Sequence, residues 1–290
     1  MKEFLLYVRF AIDYALNNKT LSHIKQFSRW YKDKKSGDTT LNRRSPWMTY
    51  DAVDFLSATC RPGMSVFEWG SGGSTLFFAS RCKQVHTVEH DPDWKGFLNK
   101  KIEELDLKNV SIQEIAGKPI ADFNERDYRN PDDFVSKDKK SAGLSFEDYV
   151  KAIDTFPEEY FDLVVVDGRV RNCCVKRAIP HVKKGGYLIV DNTDRSYYLA
   201  PFPELQPNFH LHFHAILSRM SQDDPLGGDC DLHIFIFLNG ACFIFRMEYI
   251  LSACFVGRLH CLSSTFSPRA LTASVVTNFC VDMRRTISVQ

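Results

Sequence analysis

Residues 70–74 are glycines and small polar residues that directly follow an apolar run at 65–69. They are the part of this chain best suited to bind a nucleotide-like ligand. Residues 65–69 are apolar and β-prone, and a helix-compatible run begins shortly after them. A glycine turn between a parallel strand and a helix lets a ligand approach the backbone amides at the start of the helix. The turn residues are Gly70, Ser71, Gly72, Gly73 and Ser74. The sequence therefore predicts half of a site for an adenosine-containing ligand.

A carboxylate ends the next apolar run. Residues 84–89 are β-prone and end in Glu89, and Asp91-Pro92 then supplies a helix cap and a first-turn proline. An acid at the tip of the second parallel strand can accept hydrogen bonds from both hydroxyls of a ribose. We therefore expect Glu89 to bind the sugar of the same ligand. The plainer alternative is a solvated acid at a strand end.

Three oxygen-bearing side chains end two later apolar runs. Residues 163–166 are followed by Asp167, and residues 187–190 are followed by Asp191 and Asn192. Because parallel strands end at the same edge of a sheet, these side chains could converge on a hard cation such as Mg²⁺. The alternative is a set of polar strand ends that line the ligand site or cap a turn.

Apolar runs alternate with helix-compatible segments, which is typical of a doubly wound, mostly parallel α/β sheet. The predicted strands are 65–69, 84–89, 110–115, 163–166 and 187–190, and the predicted helices are 49–59, 74–82, 92–105, 145–155 and 171–182. Residues 117–144 are polar and too long for a plain connection, so we expect a loop or lid on the ligand side. Arg169 and Arg171 could pair with acids of this loop, or grip a carboxylate or phosphate.

Two further groups of residues could do chemistry but have plainer explanations. His210, His212 and His214 alternate, as they would on one face of a strand, but no fourth zinc ligand has a convincing spacing. Cys173-Cys174 falls in a predicted helix and is expected to pack in the core, because no base for a cysteine nucleophile can be located.

We divide the chain into three regions. Residues 1–46 are predicted to form helices whose apolar faces could cap the core or form a homodimer surface, and residues 47–204 form the α/β core. Residues 205–290 are predicted to be irregular apart from a β-hairpin at 233–245. The lysines and arginines of residues 19–44 could bind RNA, a membrane surface or an acidic substrate, although a solvated helix face and linker explains them as well.

Composition indicates an ordinary globular protein of a reducing compartment. The 290 residues carry a formal net charge of +1, so no whole-chain field attracts nucleic acid. The nine cysteines contain no CxxC pair, which favours buried thiols over disulfides. Charges interrupt the apolar run at residues 4–10, no signal cleavage site follows it, and no transmembrane segment is expected. We therefore expect a cytoplasmic protein.

Four short motifs follow one another at predicted strand ends between Trp47 and Tyr198. They are EWGSGGST at 68–75, VEHD at 88–91, VVDGR at 165–169 and GGYLIVDN at 185–192. Together and in this order they resemble the class I S-adenosylmethionine-dependent methyltransferases, a family with a Rossmann-like fold. A nicotinamide dinucleotide is the competing ligand, but the turn lacks the third glycine of the GxGxxG motif.

The resemblance implies S-adenosylmethionine as cofactor and assigns roles to single residues. The turn from Gly70 to Ser74 would lie under the methionine part, with Glu68 anchoring that region, and Glu89 would bind the ribose. His90 and Asp167 would also contact the cofactor, and both are candidates for a catalytic base by position alone. Catechol-type relatives bind a cation with a similar Asp and Asp-Asn arrangement, but the lysine base that follows it in those enzymes is absent here.

The activity that the resemblance implies is in-line methyl transfer to an oxygen or nitrogen of a small-molecule or saccharide-like acceptor. Two alternatives of other classes stay open. One is a protein that binds a nucleoside without methylating, as in aminopropyl transfer or a degenerate scaffold. The other is an interaction module that uses the basic N-terminal helices.

Overall fold

One mixed sheet organises the part of the chain that the structure describes. The computed structural model describes residues 4–5, 7–9, 12, 26–193 and 195–205, together with the strand backbones at 211–215 and 232–238. The strands are β1 Ser65–Trp69, β2 Gln84–Glu89, β3 Val110–Glu114, β4 Lys118–Pro119, β5 Leu144–Ser145, β6 Phe161–Val166, β7 Val182–Val190, β8 Leu211–Ala215 and β9 Leu232–Leu238. The helices are α1 Phe27–Ser36, α2 Thr40–Arg43, α3 Tyr50–Thr59, α4 Gly73–Ala79, α5 Pro92–Glu104, α6 Glu147–Lys151 and α7 Arg171–His181.

The strand order of the main sheet is β3-β2-β1-β6-β7-β9-β8, and every pair from β3 to β7 is parallel. The chain therefore winds outward from β1 in one direction and returns through β6 in the other. This arrangement confirms the predicted doubly wound, mostly parallel α/β fold. The strand order reverses between β1 and β6, and ligands of open α/β sheets bind at that position.

The register brings the carboxyl ends of the central strands to one level. Trp69 pairs with Val88 of β2 and with Val166 of β6, and Val166 pairs with Val190 of β7. The residues that follow these positions therefore emerge from the same edge of the sheet. The predicted site residues are among them, so their spacing in the sequence is converted into proximity by the strand pairing.

The buried strand residues divide between two helical layers. Val164 and Val166 pack in the core on one face of the sheet, and Leu163 and Val165 pack in the core on the other face. A strand buried on both faces reads as a continuous apolar run, and this is the pattern that identified β6 in the sequence.

Strand β7 differs from the prediction at its start. It begins at Val182 and not at Tyr187, and the register shifts between the pairs made by Phe161 and Leu163. The intervening Lys183-Lys184-Gly185-Gly186 contains cations and glycine, which are typical of a helix C-terminus, so the sequence predicts no strand there. Gly185 has a positive φ of 78° and lies within the strand as the irregularity that permits the shift.

The antiparallel edge also differs in part from the prediction. Strand β9 lies between β7 and β8 and pairs antiparallel with both of them. The partner predicted at residues 241–245 lies outside the described residues. His212 and His214 fall on β8, as the alternation predicted, and His210 lies outside the described range.

Helices α1 and α3 are joined by polar contacts. Arg29 pairs with Asp54 at 2.7 Å, and Tyr50 donates a hydrogen bond to Asp33 at 2.8 Å. Arg43 also lies 3.2 Å from Asp33. Part of the basic segment is therefore paired with acids inside the molecule. No helix in the described residues is long and apolar enough to cross a bilayer.

Candidate functional site

The candidate site lies where the sheet changes direction, at the carboxyl ends of β1 and β6. Gly70, directly after β1, has a positive φ of 92°. A Cβ at this position would lie 2.9 Å from the carbonyl carbon of Asp167, so only glycine permits this approach of the two strand ends. The predicted glycine turn and the predicted Asp167 are thus in direct contact.

Gly73 and Gly72 have different surroundings. A Cβ at Gly73 would lie 2.4 Å from the carbonyl oxygen of Ser45, so this glycine lets the N-terminal segment pack on the start of α4. A Cβ at Gly72 would meet only Trp94, at 4.0 Å. The open side of the turn is therefore at Gly72.

The turn amides make contacts that the sequence did not predict. The Ser71 amide donates to Glu89 Oε2 at 3.1 Å, and the Gly72 amide donates to Thr75 Oγ1 at 2.9 Å. We expected these amides to face a ligand directly. In the structure they hold the turn together, and the side chain of Glu89 presents the acceptor.

Glu68 lies beneath the turn and is fully buried. Thr75 Oγ1 donates to its Oε2 at 2.6 Å, while Oε1 has no hydrogen-bond partner among the described residues. Burial raises the pKa of Glu68 to about 7, although hydrogen bonds from Ser74 and Thr75 oppose the shift. Glu68 is therefore an acceptor whose negative charge is poorly compensated by the protein alone.

The substitution Glu68→Gln should change how stability depends on pH. A carboxyl group with a raised pKa stabilises the folded state below its unfolded value, near 4.5, and this contribution is lost as the pH rises through about 7. The free energy of unfolding of the variant should therefore rise relative to wild type between pH 5 and pH 8, by on the order of 3 kcal/mol. Urea unfolding of both proteins at the two pH values measures this, and a difference that is the same at both would contradict it.

Glu89 is 3% exposed and both carboxylate oxygens are engaged. Oε2 accepts from Ser71 Oγ at 2.8 Å as well as from the Ser71 amide, and Oε1 accepts from the amides of His90 and Asp91 at 2.8 and 3.0 Å. Burial raises its pKa, but hydrogen bonds from His90, Asp91 and Ser71 outweigh burial and lower the pKa to about 2. Glu89 is therefore a fixed, ionised acceptor beside the turn.

His90 connects Glu89 to an arginine after β6. Its Nδ1 lies 2.7 Å from Glu89 Oε1, and its Nε2 accepts a hydrogen bond from Arg169 Nε at 2.9 Å. Arg169 Nη1 also pairs with Asp138 Oδ2 at 2.7 Å. Of the two roles considered for Arg169, pairing with an acid of residues 117–144 is the one that the structure shows. The acceptor nitrogen of His90 is occupied in this arrangement.

Arg171 occupies the space between the two carboxylates predicted to bind a metal. Its guanidinium lies 2.8 Å from Asp167 Oδ1 and 3.1 Å from Asp191 Oδ2, and it donates to the Asp191 carbonyl at 2.6 Å. Burial and the neighbouring Asp191 raise the pKa of Asp167 well above its ordinary value, although Arg171 opposes the shift. A guanidinium thus supplies the positive charge expected from a cation.

The magnesium prediction is therefore not supported. Asn192 adopts a left-handed φ of 56°, and its carbonyl accepts from the Arg195 amide at 3.2 Å, so it forms a turn after β7. Within the described residues, no group of three histidine, cysteine, aspartate or glutamate side chains could hold a metal ion. The alternative of polar strand ends that line the site and shape a turn describes Asp167, Asp191 and Asn192 better.

Trp94 is a site residue that sequence reasoning missed. It is the third residue of helix α5, it is 41% exposed, and its indole donates to the Ser71 carbonyl at 2.8 Å. A flat aromatic surface therefore stands beside the open side of the turn. The available signal was its position three residues after the cap Asp91, which puts it in the first helical turn facing the preceding loop.

Cys173 and Cys174 are buried in the first turn of α7, as predicted. Burial raises the pKa of both thiols, to about 12 for Cys173. They are packing residues and not nucleophiles.

Comparison with known proteins gives similarity at the level of solved structures. No family model and no curated protein matches the chain. An O-methyltransferase from Bacillus cereus in complex with SAH has a TM-score of 0.45 and 15% identity, covering 70% of this chain and 91% of that chain. An rRNA methylase from Streptococcus thermophilus has a TM-score of 0.42 and 12% identity, covering 65% and 93%. Precorrin 8W decarboxylase of Methanobacterium thermoautotrophicum has a TM-score of 0.41 and 17% identity, covering 68% and 95%.

Proposed function

We propose that this chain is a class I S-adenosylmethionine-dependent methyltransferase that acts on an oxygen or nitrogen of a small-molecule or saccharide-like acceptor. The observation that carries the proposal is the placement of two acids against one glycine turn. Glu68 lies under the turn with one oxygen unpartnered among the described residues, and Glu89 contacts Ser71 from the tip of β2. Both lie where a doubly wound sheet binds nucleosides.

The residues present fit this cofactor. Glu89 stays ionised because its pKa is about 2, and its Oε2 would accept ribose hydroxyls when the Ser71 hydroxyl turns away. The indole face of Trp94, at the open side of Gly72, suits a flat base. The unpartnered oxygen of Glu68 suits an ammonium or sulfonium charge, which would also relieve the cost of ionising a buried carboxyl.

The acceptor would lie on the side of the cleft formed by α7 and the turn after β7. Tyr128 and Tyr197 meet edge to face there, with ring centroids 5.1 Å apart, and Tyr198 packs over the Arg171 guanidinium at 5.6 Å. Aromatic walls beside a charged pair provide apolar contact and hydrogen bonding for a compact acceptor. This composition supports a small molecule or saccharide-like acceptor.

The chain's contribution to the reaction would be alignment. S-adenosylmethionine, when bound, supplies a methyl group activated by a sulfonium. Displacement at such a carbon requires the acceptor atom in line and the exclusion of water, and a general base is optional. Both candidate bases are engaged, His90 by Arg169 and Asp167 by Arg171. We therefore assign catalysis to orientation within the cleft.

Calorimetry on the wild-type protein with S-adenosylmethionine, its demethylated product and NAD tests the proposal. We expect both sulfur nucleosides to bind and NAD to bind much more weakly, because the turn lacks the third glycine of the dinucleotide motif. Absence of binding by both sulfur nucleosides would refute the proposal. Binding without methyl transfer to any amine, phenol or sugar acceptor would favour a non-methylating nucleoside-binding protein. Chelation should leave any activity unchanged, because Arg171 replaces the cation.

A further inference from the structure

A continuous series of polar contacts runs from the loop at residues 117–144 to the glycine turn. Asp138 Oδ2 pairs with Arg169 Nη1 at 2.7 Å, and Arg169 Nε donates to His90 Nε2 at 2.9 Å. His90 Nδ1 lies 2.7 Å from Glu89 Oε1, and Ser71 Oγ donates to Glu89 Oε2 at 2.8 Å. We call Asp138, Arg169, His90 and Glu89 the relay. It joins three separate segments of the chain.

Each member of the relay fixes the next one. Because His90 Nε2 accepts from Arg169, a neutral imidazole carries its proton on Nδ1, the nitrogen that lies 2.7 Å from Glu89 Oε1. The ring also packs edge-on against Phe146 and Tyr149, with centroids 6.1 and 6.3 Å away. Arg169 therefore bears on the Glu89 carboxylate through His90, in addition to the hydrogen bonds that the carboxylate accepts from Ser71, His90 and Asp91.

At the other end, Asp138 ties the arginine to the backbone of the loop. Its Oδ1 accepts from the Lys140 amide at 3.1 Å while its Oδ2 contacts Arg169, so one carboxylate caps a loop turn and binds the relay. The loop is closed at its base by the pairing of β4 with β5. Docking of the loop and orientation of Glu89 therefore use the same side chains.

We propose that Asp138, Arg169 and His90 are positioning residues that couple the docking of the 117–144 loop to cofactor binding at Glu89. The inference rests on the proposed function, which assigns the ribose to Glu89. A ligand that binds best to the oriented carboxylate stabilises the whole relay, so it must also favour the docked loop, and a docked loop must raise its affinity by the same factor.

The first test compares the affinity of the demethylated cofactor product for wild type, Asp138→Asn and Asp132→Asn by calorimetry. Asp132 is a matched control, because it docks the same loop on α7 through Lys176 at 2.6 Å but lies outside the relay. We expect Asp138→Asn to weaken binding about 5- to 20-fold and Asp132→Asn to change it less than about 2-fold. If wild type does not bind, the proposed function fails. If wild type binds and Asp138→Asn binds equally well, the coupling is refuted and the proposed function stands.

The second test reads the loop directly. Lys137, Lys139 and Lys140 are exposed in the loop and are sites for trypsin. The demethylated product at saturation should slow cleavage there about 5-fold or more in wild type, and much less in Arg169→Gln. If Arg169 had a purely structural role, Arg169→Gln would be cleaved faster than wild type by the same factor with and without the demethylated product. Equal protection in wild type and Arg169→Gln would therefore overturn the inference even if both variants fold normally.

Discussion

Replacement of Arg171 by methionine should lower the free energy of unfolding by about 3–5 kcal/mol, the cost of leaving buried charges without their partner. The Arg171 side chain is 10% exposed, and its guanidinium contacts Asp167 at 2.8 Å and Asp191 at 3.1 Å. It also donates to the carbonyls of Asp191, Asp167 and Gly168. Methionine fills part of the volume but supplies neither the charge nor the donors. Urea unfolding at pH 7 measures the loss.

Arg177→Met is the matched control for this prediction. Arg177 lies on the same helix and pairs with Asp154 at 3.4 Å, with both side chains about one-third exposed, so its loss should cost less than about 1 kcal/mol. The deficit of Arg171→Met should also shrink as the pH falls. The pKa of Asp167 is already raised, loss of the guanidinium raises it further, and protonation removes the repulsion with Asp191. A deficit no larger than that of Arg177→Met, or one independent of pH, would contradict the prediction.

Replacement of Glu89 by alanine should weaken binding of the demethylated cofactor product about 100-fold or more. Hydrogen bonds to a charged acceptor contribute about 1.5–3 kcal/mol each, and the proposed ribose contact uses two of them. The variant also leaves the Ser71 amide without its acceptor, so the turn itself loses support. Isothermal titration on folded protein gives the ratio of dissociation constants.

Glu114→Ala provides the control. Glu114 pairs in register with Glu89 on the neighbouring strand β3, but it is 40% exposed and contacts Lys95 at 3.4 Å. Its loss should change affinity less than about 2-fold, since an exposed ion pair contributes little. Glu89 has a lowered pKa, so its stabilising contribution is present above its unfolded value near 4.5 and disappears as the pH falls through about 2. At pH 7 wild type has this stabilising contribution and Glu89→Ala lacks it. Circular dichroism should therefore show that the variant is folded before its affinity is measured. Equal affinities of the two variants would remove Glu89 from the site.

The sequence was sufficient for most of the sheet because the parallel strands are β-prone runs that stop at glycine, proline or acid. β1 and β2 have their predicted bounds, β3 ends one residue earlier than predicted, and β6 begins two residues earlier than predicted. β7 was predicted too short, because Lys183-Lys184-Gly185-Gly186 has the local character of a helix end. Only pairing with Phe161, which is distant in sequence, makes Val182 part of a strand. Tertiary pairing there overrides local preference.

The positions of the candidate site residues were predictable, but their contacts were not. Glu89, Asp167 and Asp191 all lie at the carboxyl edge because strand register places them there. Whether a metal ion or a guanidinium lies between Asp167 and Asp191 depends on the side-chain conformation of Arg171, at the start of the following helix. Likewise the pairing of Arg169 with Asp138 depends on how a long loop folds over the edge. Side-chain reach and loop path are not encoded in local periodicity.

The reversal of strand order at β1 has a consequence for how the chain folds. Val66 pairs on one side with Val85, close in sequence, but on the other side with Leu163. Closing so long a loop costs entropy before the contacts of β6 compensate for it, so β1, β2 and β3 can associate early while β6 joins late. A nascent chain that ends before β6 would contain the glycine turn, Glu68 and Glu89 but not Asp167 or Arg169. We therefore expect the proposed site to be complete only after β6 has joined the sheet.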